Sequence, residues 1–336
     1  MVISENQINN ENPEYKKQKP VSPTVVFFRK LFFTQNLGDF FFERLTLLFA
    51  VLVFLLVMLM GYEMYQGSKI SIDKFGWSFL SNSVWDPVQE IYGALPIIYG
   101  TIVSSFLALV LSVPLSIGIA IFLSELAPDW LEKPLSFLVE LLAGIPSVVY
   151  GLWGIFVLVP WIRTDVEPFL SEHLGFLPFF RGAPYGFGML AAVLILAIMV
   201  LPIVSAISRD ILRSVPQSQR EAALALGATR WQSTKIVLKD ARSGILGATM
   251  LGLGRAVGET MAVTMVIGNR AMISPSLFDP SYTMASVIAN EFTEASSEMY
   301  LSALIQLALV LFIITIIINA FAKLLVWSME RKLKTR

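Results

Sequence analysis

No cysteine occurs among the 336 residues, which excludes disulfides, thiolate nucleophiles and cysteine metal sites. Histidine is almost absent as well. The single His173 cannot build the multi-ligand cluster that imidazole metal sites use, and it is expected to be a solvated loop residue. Charge is scarce, with 15% Asp, Glu, Lys and Arg against 55% hydrophobic residues. Few soluble domains have that balance, so the chain falls in the membrane class. A GxxxxGK[ST] phosphate loop is also missing, so ATP hydrolysis is not expected of this chain. The expectation is a non-enzymatic membrane protein with no cofactor, no metal and no nucleic-acid partner.

Residues 1–22 are polar, rich in Asn, Glu, Lys and Gln, and read as a disordered tail. The first apolar span begins only after Arg44, and no small-residue cleavage pattern follows it, so an uncleaved anchor is expected. Six segments reach the roughly 20 residues that a helix needs to cross the hydrocarbon core. They are about Leu45–Tyr62, Ala94–Leu123, Leu135–Ile162, Gly186–Ile207, Gly244–Gly268 and Leu301–Ala322. Pro114, Pro146 and Pro202 each remove a backbone donor inside a span, so bends are expected there. No inverted repeat of the kind found in many secondary transporters is visible.

The distribution of Lys and Arg orients these spans. Segments 1–44, 124–134, 208–243 and 323–336 hold nineteen, whereas 63–93, 163–185 and 269–300 hold five. By the positive-inside rule both termini and the 208–243 loop face the cytoplasm. The last outward segment is acidic, with Asp279, Glu291, Glu294 and Glu298, and reads as a solvated loop or a docking surface. Glu140 is placed near a cytoplasmic span end, where snorkelling to the headgroups accounts for it.

Two segments carry chemistry. In the 208–243 loop, Pro216 and Ser218 fit a helix start and Gly227 can end that helix at a positive φ. A second short helix is expected from Thr229 to Leu238, with Trp231 available to pack across the turn. Such an amphipathic helix can lie in a partner's groove, with Glu221 pairing a cation and Ala222 and Ala223 permitting close approach. Equally, Arg209, Arg213, Arg220 and Arg230 suit an interfacial helix on anionic lipid.

The other segment runs from Gly252 to Thr264 and holds Arg255 near mid-depth of the fifth span. A guanidinium there costs on the order of 3 kcal/mol, so it is expected to face protein or water. Glu259 follows four residues on, placing both charges on one helix face, and the Gly254–Gly258 spacing lets another helix approach. An ion pair holding two helices in register is one reading. An anion pathway is the other, because Arg presents a planar fork to tetrahedral oxyanions. Phosphate retains an O–H that Glu259 could accept, whereas sulfate has none.

Glu221-Ala222-Ala223 with Gly227 resembles the EAA signature of ATP-binding-cassette importer permeases. Only eight residues separate Gly227 from Ile236, one fewer than in that signature, and Lys239 stands where proline is usual. The exit from the second helix is therefore expected to be less sharply fixed. Four further segments resemble the PstC-type permeases of bacterial phosphate importers: Tyr92–Thr101, Ser124–Pro128, Leu141–Gly154 and Gly252–Val263. The likeness runs from about Ile91 to the C-terminus. It implies an all-α, polytopic, type I (MetI-like) importer permease in the bacterial inner membrane. Residues 1–44 would be a cytoplasmic tail, 45–90 an anchor with an outward loop, and 91–336 the permease core. Implied partners are a related PstA-type permease, two PstB-type ATPases and a PstS-type phosphate-binding protein. Arg255 and Glu259 would meet the substrate, while Glu221, Ala222, Ala223 and Gly227 would couple to the ATPase. A permease for sulfate or molybdate, and an ion-coupled secondary transporter, remain alternatives on residue content.

Overall fold

The computed structural model describes residues 37–334. The polar tail expected over 1–22 and most of segment 1–44 lie outside the described residues. The chain divides into two compact units, residues 1–60 and 61–336. The first contains most of helix α1 (Leu37–Gly67), an apolar segment long enough to span a bilayer.

In the second unit, α2 (Lys69–Phe75) and α3 (Ser78–Ser81) precede an antiparallel hairpin of β1 (Trp85–Asp86) and β2 (Ile91–Tyr92). The helical core follows as α4 (Leu95–Leu126), α5 (Asp129–Ala143), α6 (Ser147–Leu174) and α7 (Met189–Ser214). Then come α8 (Gln217–Ala225), α9 (Arg230–Gly258), α10 (Met261–Val266), α11 (Met284–Glu291) and α12 (Glu298–Lys334). Among the described residues five helices are long and apolar enough to cross a membrane: α1, α4, α6, α7 and α12. The fifth expected span, Gly244–Gly268, is divided between α9, which is as long but diluted by Arg242 and Arg255, and the short α10.

Helix α7 is the centre of this unit. Its residues Ala191, Ala192, Ile195, Leu196, Met199 and Val200 are buried with Ala108 of α4 and Ala248 and Ala256 of α9. Buried Ser104, Ser105, Ser112 and Ser116 on α4 are small, which favours close approach between membrane helices. Ser116 also donates to the Leu201 carbonyl of α7 at 3.1 Å. Burying such apolar faces against one another leaves lipid to cover the rest.

The prolines divide. Pro114 and Pro202 stay inside helices α4 and α7. Pro146 instead separates α5 from α6, because it lacks an N–H and disfavours helical geometry at Ile145. The expected span Leu135–Ile162 is thus corrected to Ser147–Leu174, and α5 becomes a separate helix. His173 consequently lies in a helical turn, exposed and stacked on Phe169, not in a loop. The expected second helix, Thr229–Leu238, is likewise corrected. It is the opening of an unbroken α9, because Lys239 keeps the N–H that proline would remove.

Outside the bundle the acidic segment is only partly solvated. Glu291 accepts from Trp85 Nε1 at 2.8 Å and from the Tyr300 hydroxyl at 2.7 Å, while Asp279 accepts from Ser274. Tyr92 stacks on Tyr300 at 5.6 Å, so the hairpin is anchored to the start of α12.

Two glycines of α4 make a controlled test. A Cβ on Gly100 would stand 2.2 Å from the Tyr282 carbonyl oxygen, a backbone atom, whereas one on Gly118 would meet nothing within 4 Å. Gly100→Ala is therefore expected to destabilise the protein by about 1–3 kcal/mol, as overpacking does. Gly118→Ala should leave stability unchanged or raised. Thermal unfolding of both variants in detergent checks this, and equal melting temperatures would contradict the close contact.

Candidate functional site

The loop between α7 and α9 folds as its residues dictate. Pro216 is the N-cap of α8, with extended ψ, where its missing N–H costs nothing. At the other end Gly227 takes φ +83°. The Gly227 N–H donates to Leu224 O at 3.0 Å and the Ala228 N–H to Ala223 O at 3.1 Å. These two bonds are the Schellman closure that a left-handed glycine permits. Thr229 then opens α9 with a reciprocal capping box: its hydroxyl accepts from the Gln232 N–H, and the Gln232 side chain accepts from the Thr229 N–H. A tight helix–turn–helix results, four residues (226–229) separating α8 from α9.

Its surface is selective. Ala223 is buried, while Glu221, Ala222 and Gly227 are exposed. Leu224 and Leu226 are exposed as well, Leu226 at 89%. Trp231 does not pack across the turn as expected; it stays exposed and carries Lys235 Nζ 5.4 Å above its ring.

Arg220 faces inward, not towards lipid. Its Nη2 donates to Glu125 Oε1 at 2.8 Å and its Nε to Glu125 Oε2 at 3.2 Å, fork against fork. The same guanidinium donates to the Leu212 and Val215 carbonyls at 2.8 and 2.7 Å, closing the C-terminus of α7. Arg213 pairs with Glu132, and that hydrogen bond holds the Glu132 carboxyl below the usual carboxylate range. Arg209 donates to Glu140 and Asp210, each at 2.8 Å. Glu140 is thus tied to an arginine instead of only snorkelling. Sequence reading assigned these arginines no protein partners. The available signal was register: Glu125 and Glu132 share the seven-residue spacing of Arg213 and Arg220.

The charged segment of the fifth span departs from its expected geometry. Helix α9 ends at Gly258, and Glu259 takes φ −69°, ψ 128°, so Arg255 and Glu259 do not share a continuous helix face. No ion pair or hydrogen bond joins them among the described residues. The reason is local. Glu259 is buried and its Oε1 accepts from the Ala262 N–H at 3.4 Å, capping the start of α10. Arg255 is half-buried, and its Nε is buried with no hydrogen-bond partner.

Glycine spacing also works differently from expectation. A Cβ on Gly254 or Gly258 would meet nothing within 4 Å among the described residues, whereas Gly252 lies against Val204 and Val200 of α7. Across the break, α10 packs on the first turns of α6. A Cβ on Gly151 would stand 3.1 Å from Ala262 Cα, and one on Gly154 would stand 2.8 Å from Val266. Gly151 and Gly154 of Leu141–Gly154 therefore press on α10, the short helix that follows Arg255 across the break.

Comparison with known proteins agrees with this architecture. Residues 112–331 match the family model for the binding-protein-dependent transport system inner membrane component. The phosphate transport system permease protein PstC of Pasteurella multocida is 48% identical over 299 residues, covering 88% of this chain and 93% of the relative. A probable PstC of Methanocaldococcus jannaschii is 38% identical over 285 residues, covering 83% and 90%. Among solved structures, a bacterial alginate transporter bound to its periplasmic protein and a pentasaccharide superposes with TM-score 0.55 at 17% identity, covering 83% of this chain and 93% of that one. An inward-facing methionine transporter superposes with TM-score 0.51 at 16% identity, covering 73% and 99%. On this evidence the chain belongs to the binding-protein-dependent transport system inner membrane component family.

Proposed function

We propose that this chain is a membrane subunit of an ATP-driven importer of inorganic phosphate, forming half of the translocation pathway. The observation that carries the reading is the Arg255 guanidinium, half-buried beside a helix break and paired with no carboxylate among the described residues. An unpaired cation in a span is costly, and a transient anionic ligand would offset that cost. The permeases named for phosphate transport at up to 48% identity support phosphate as that anion. Glu259 then has two roles: it holds the α10 turn, and it can accept the proton of a hydrogen-bearing oxyanion.

On this reading the α8 surface around Glu221, Ala222 and Ala223, ended by Gly227, seats a cytoplasmic ATPase. Two such ATPases, a second related permease and an extracytoplasmic phosphate-binding protein complete the complex. The excess of Lys and Arg on one side of the spans supports cytoplasmic termini in a bacterial inner membrane. Nucleotide-driven closure of the ATPases would displace α8 and the adjoining α9, and with them Arg255.

Uptake of labelled phosphate into proteoliposomes of the assembled complex tests this. Arg255→Ala is expected to lower uptake by about 30-fold or more, the equivalent of one charge-assisted hydrogen-bonded contact. Arg255→Lys should retain part of it, and excess sulfate should not compete. Full uptake in Arg255→Ala would remove the arginine from the pathway.

The docking surface has its own test. Glu221→Ala and Gly227→Val should each weaken co-purification of the ATPase. For Gly227→Val a strained left-handed backbone adds about 1–2 kcal/mol of local cost. Undiminished ATPase binding and coupling in both would place the socket elsewhere.

A further inference from the structure

In helix α5 only Ser136 is fully buried, and a narrow stripe of half-buried apolar residues, Leu131, Leu135, Val139 and Ala143 at four-residue spacing, sets the helix against the bundle. It is also bracketed by charge. Glu132 and Glu140 of α5, with Glu125 just before it, meet Arg213, Arg209 and Arg220. The first two arginines belong to α7 and the third to the coupling helix α8.

We infer that α5 is a second coupling strut, in which these three carboxylate–arginine pairs carry movement of α8 to the α6–α10 contact beside Arg255. The inference rests on the proposed coupling role of α8. It adds Glu125, Glu132, Glu140, Arg209, Arg213 and Arg220 as positioning residues.

Each joint of the strut is visible. At one end the Glu125–Arg220 pair is largely buried, with 9% and 14% of the side chains exposed. A buried pair of that kind cannot part without stranding a charge, so α8 and the end of α4 must move together. Glu125 lies in the π turn Phe122–Leu126, an irregularity that re-aims side chains and often marks functional sites. Arg213 reaches the same turn through the Leu123 carbonyl.

At the other end α5 stops at Gly144 and resumes as α6 after Pro146. The Tyr150 hydroxyl of α6 donates back to Leu142 O of α5 at 2.9 Å, bridging the break. The next residue, Gly151, is the one pressed against Ala262 of α10, whose first turn Glu259 caps. Contacts are therefore continuous from Arg220 to Glu259 without passing along α9. Contiguity alone does not establish coupling, which needs a measured interaction between the ends.

The absence of cysteine supplies the test, because a single introduced thiol is unique in this subunit. Gly258→Cys places it at an exposed position beside Glu259. In the assembled complex in nanodiscs, its rate of labelling by a soluble maleimide is measured with and without ATP and vanadate. The parent should show a nucleotide-dependent rate. Adding Glu132→Arg or Arg213→Glu should shrink that dependence by about five-fold or more, the low end of typical coupling energies. Combining the two, which restores an opposite-charge pair, should recover most of it.

Glu140→Gln probes a third rung with less risk to folding, since its carboxylate is 57% exposed and Arg209 keeps Asp210. It too should reduce the dependence. The strut is overturned if the single variants keep the full nucleotide dependence, if the swap recovers nothing, or if the parent shows none. Phosphate uptake by the same parent complex is scored separately. Its failure would count against phosphate as cargo while leaving the labelling result intact.

Discussion

A broken helix that packs against other helices exposes backbone groups that apolar surroundings cannot satisfy, and the core of this protein is arranged around two such breaks. At Gly144–Pro146 the Gly144 N–H still reaches Glu140 and Leu141 carbonyls, the Ile145 N–H reaches Leu142, and proline has none to satisfy. At Glu259–Thr260 the Glu259 N–H bonds to Ala256, while its own carboxylate takes the Ala262 N–H. The two breaks then face each other through Gly151 and Ala262. Irregular backbone is tolerated here because protein covers it, and the same irregularity keeps Arg255 apart from the nearest carboxylate in sequence.

That separation bears on the ion-pair reading of Arg255 and Glu259, because no such pair forms among the described residues. A helix continuing through 259 would have placed the charges one turn apart, close enough to neutralise each other. With Glu259 employed as a cap, Arg255 is left without a carboxylate partner among the described residues. The remaining arginines at the α7–α8 end show the contrast, since Arg209, Arg213 and Arg220 have all found carboxylates. The charge-poor composition hides this division, because it is a matter of who faces whom.

What could be read from residues alone follows the range of the interactions involved. The α8 turn was legible, since Pro216, Gly227 and Thr229 act within a few residues of themselves. Five of the spans were legible to within a dozen residues or so from apolar run length. The break at Pro146 was visible only as a bend, because a proline's effect depends on whether neighbouring helices support a kink or a gap. Glu259 misled for a related reason: spacing of four implies a shared face only while the helix lasts. The pairs Glu140–Arg209 and Glu125–Arg220 were illegible one by one, for their members lie 69 and 95 residues apart.

The unbroken α9 has one further consequence. At 29 residues it is a rod of about 43 Å, stiffened along its length by its own hydrogen bonds. Such a rod resists torsion, so on the proposed coupling role a twist imposed where Thr229 caps it would reach Arg255 along one continuous helix. With side chains standing about 5–6 Å from the axis, a turn of roughly 20° sweeps a guanidinium through about 2 Å. That arc is the difference between a hydrogen bond held and a hydrogen bond lost. On the proposed function, α9 would then report the state of the α8 turn to Arg255 as an angle, beside the contacts that run through α5.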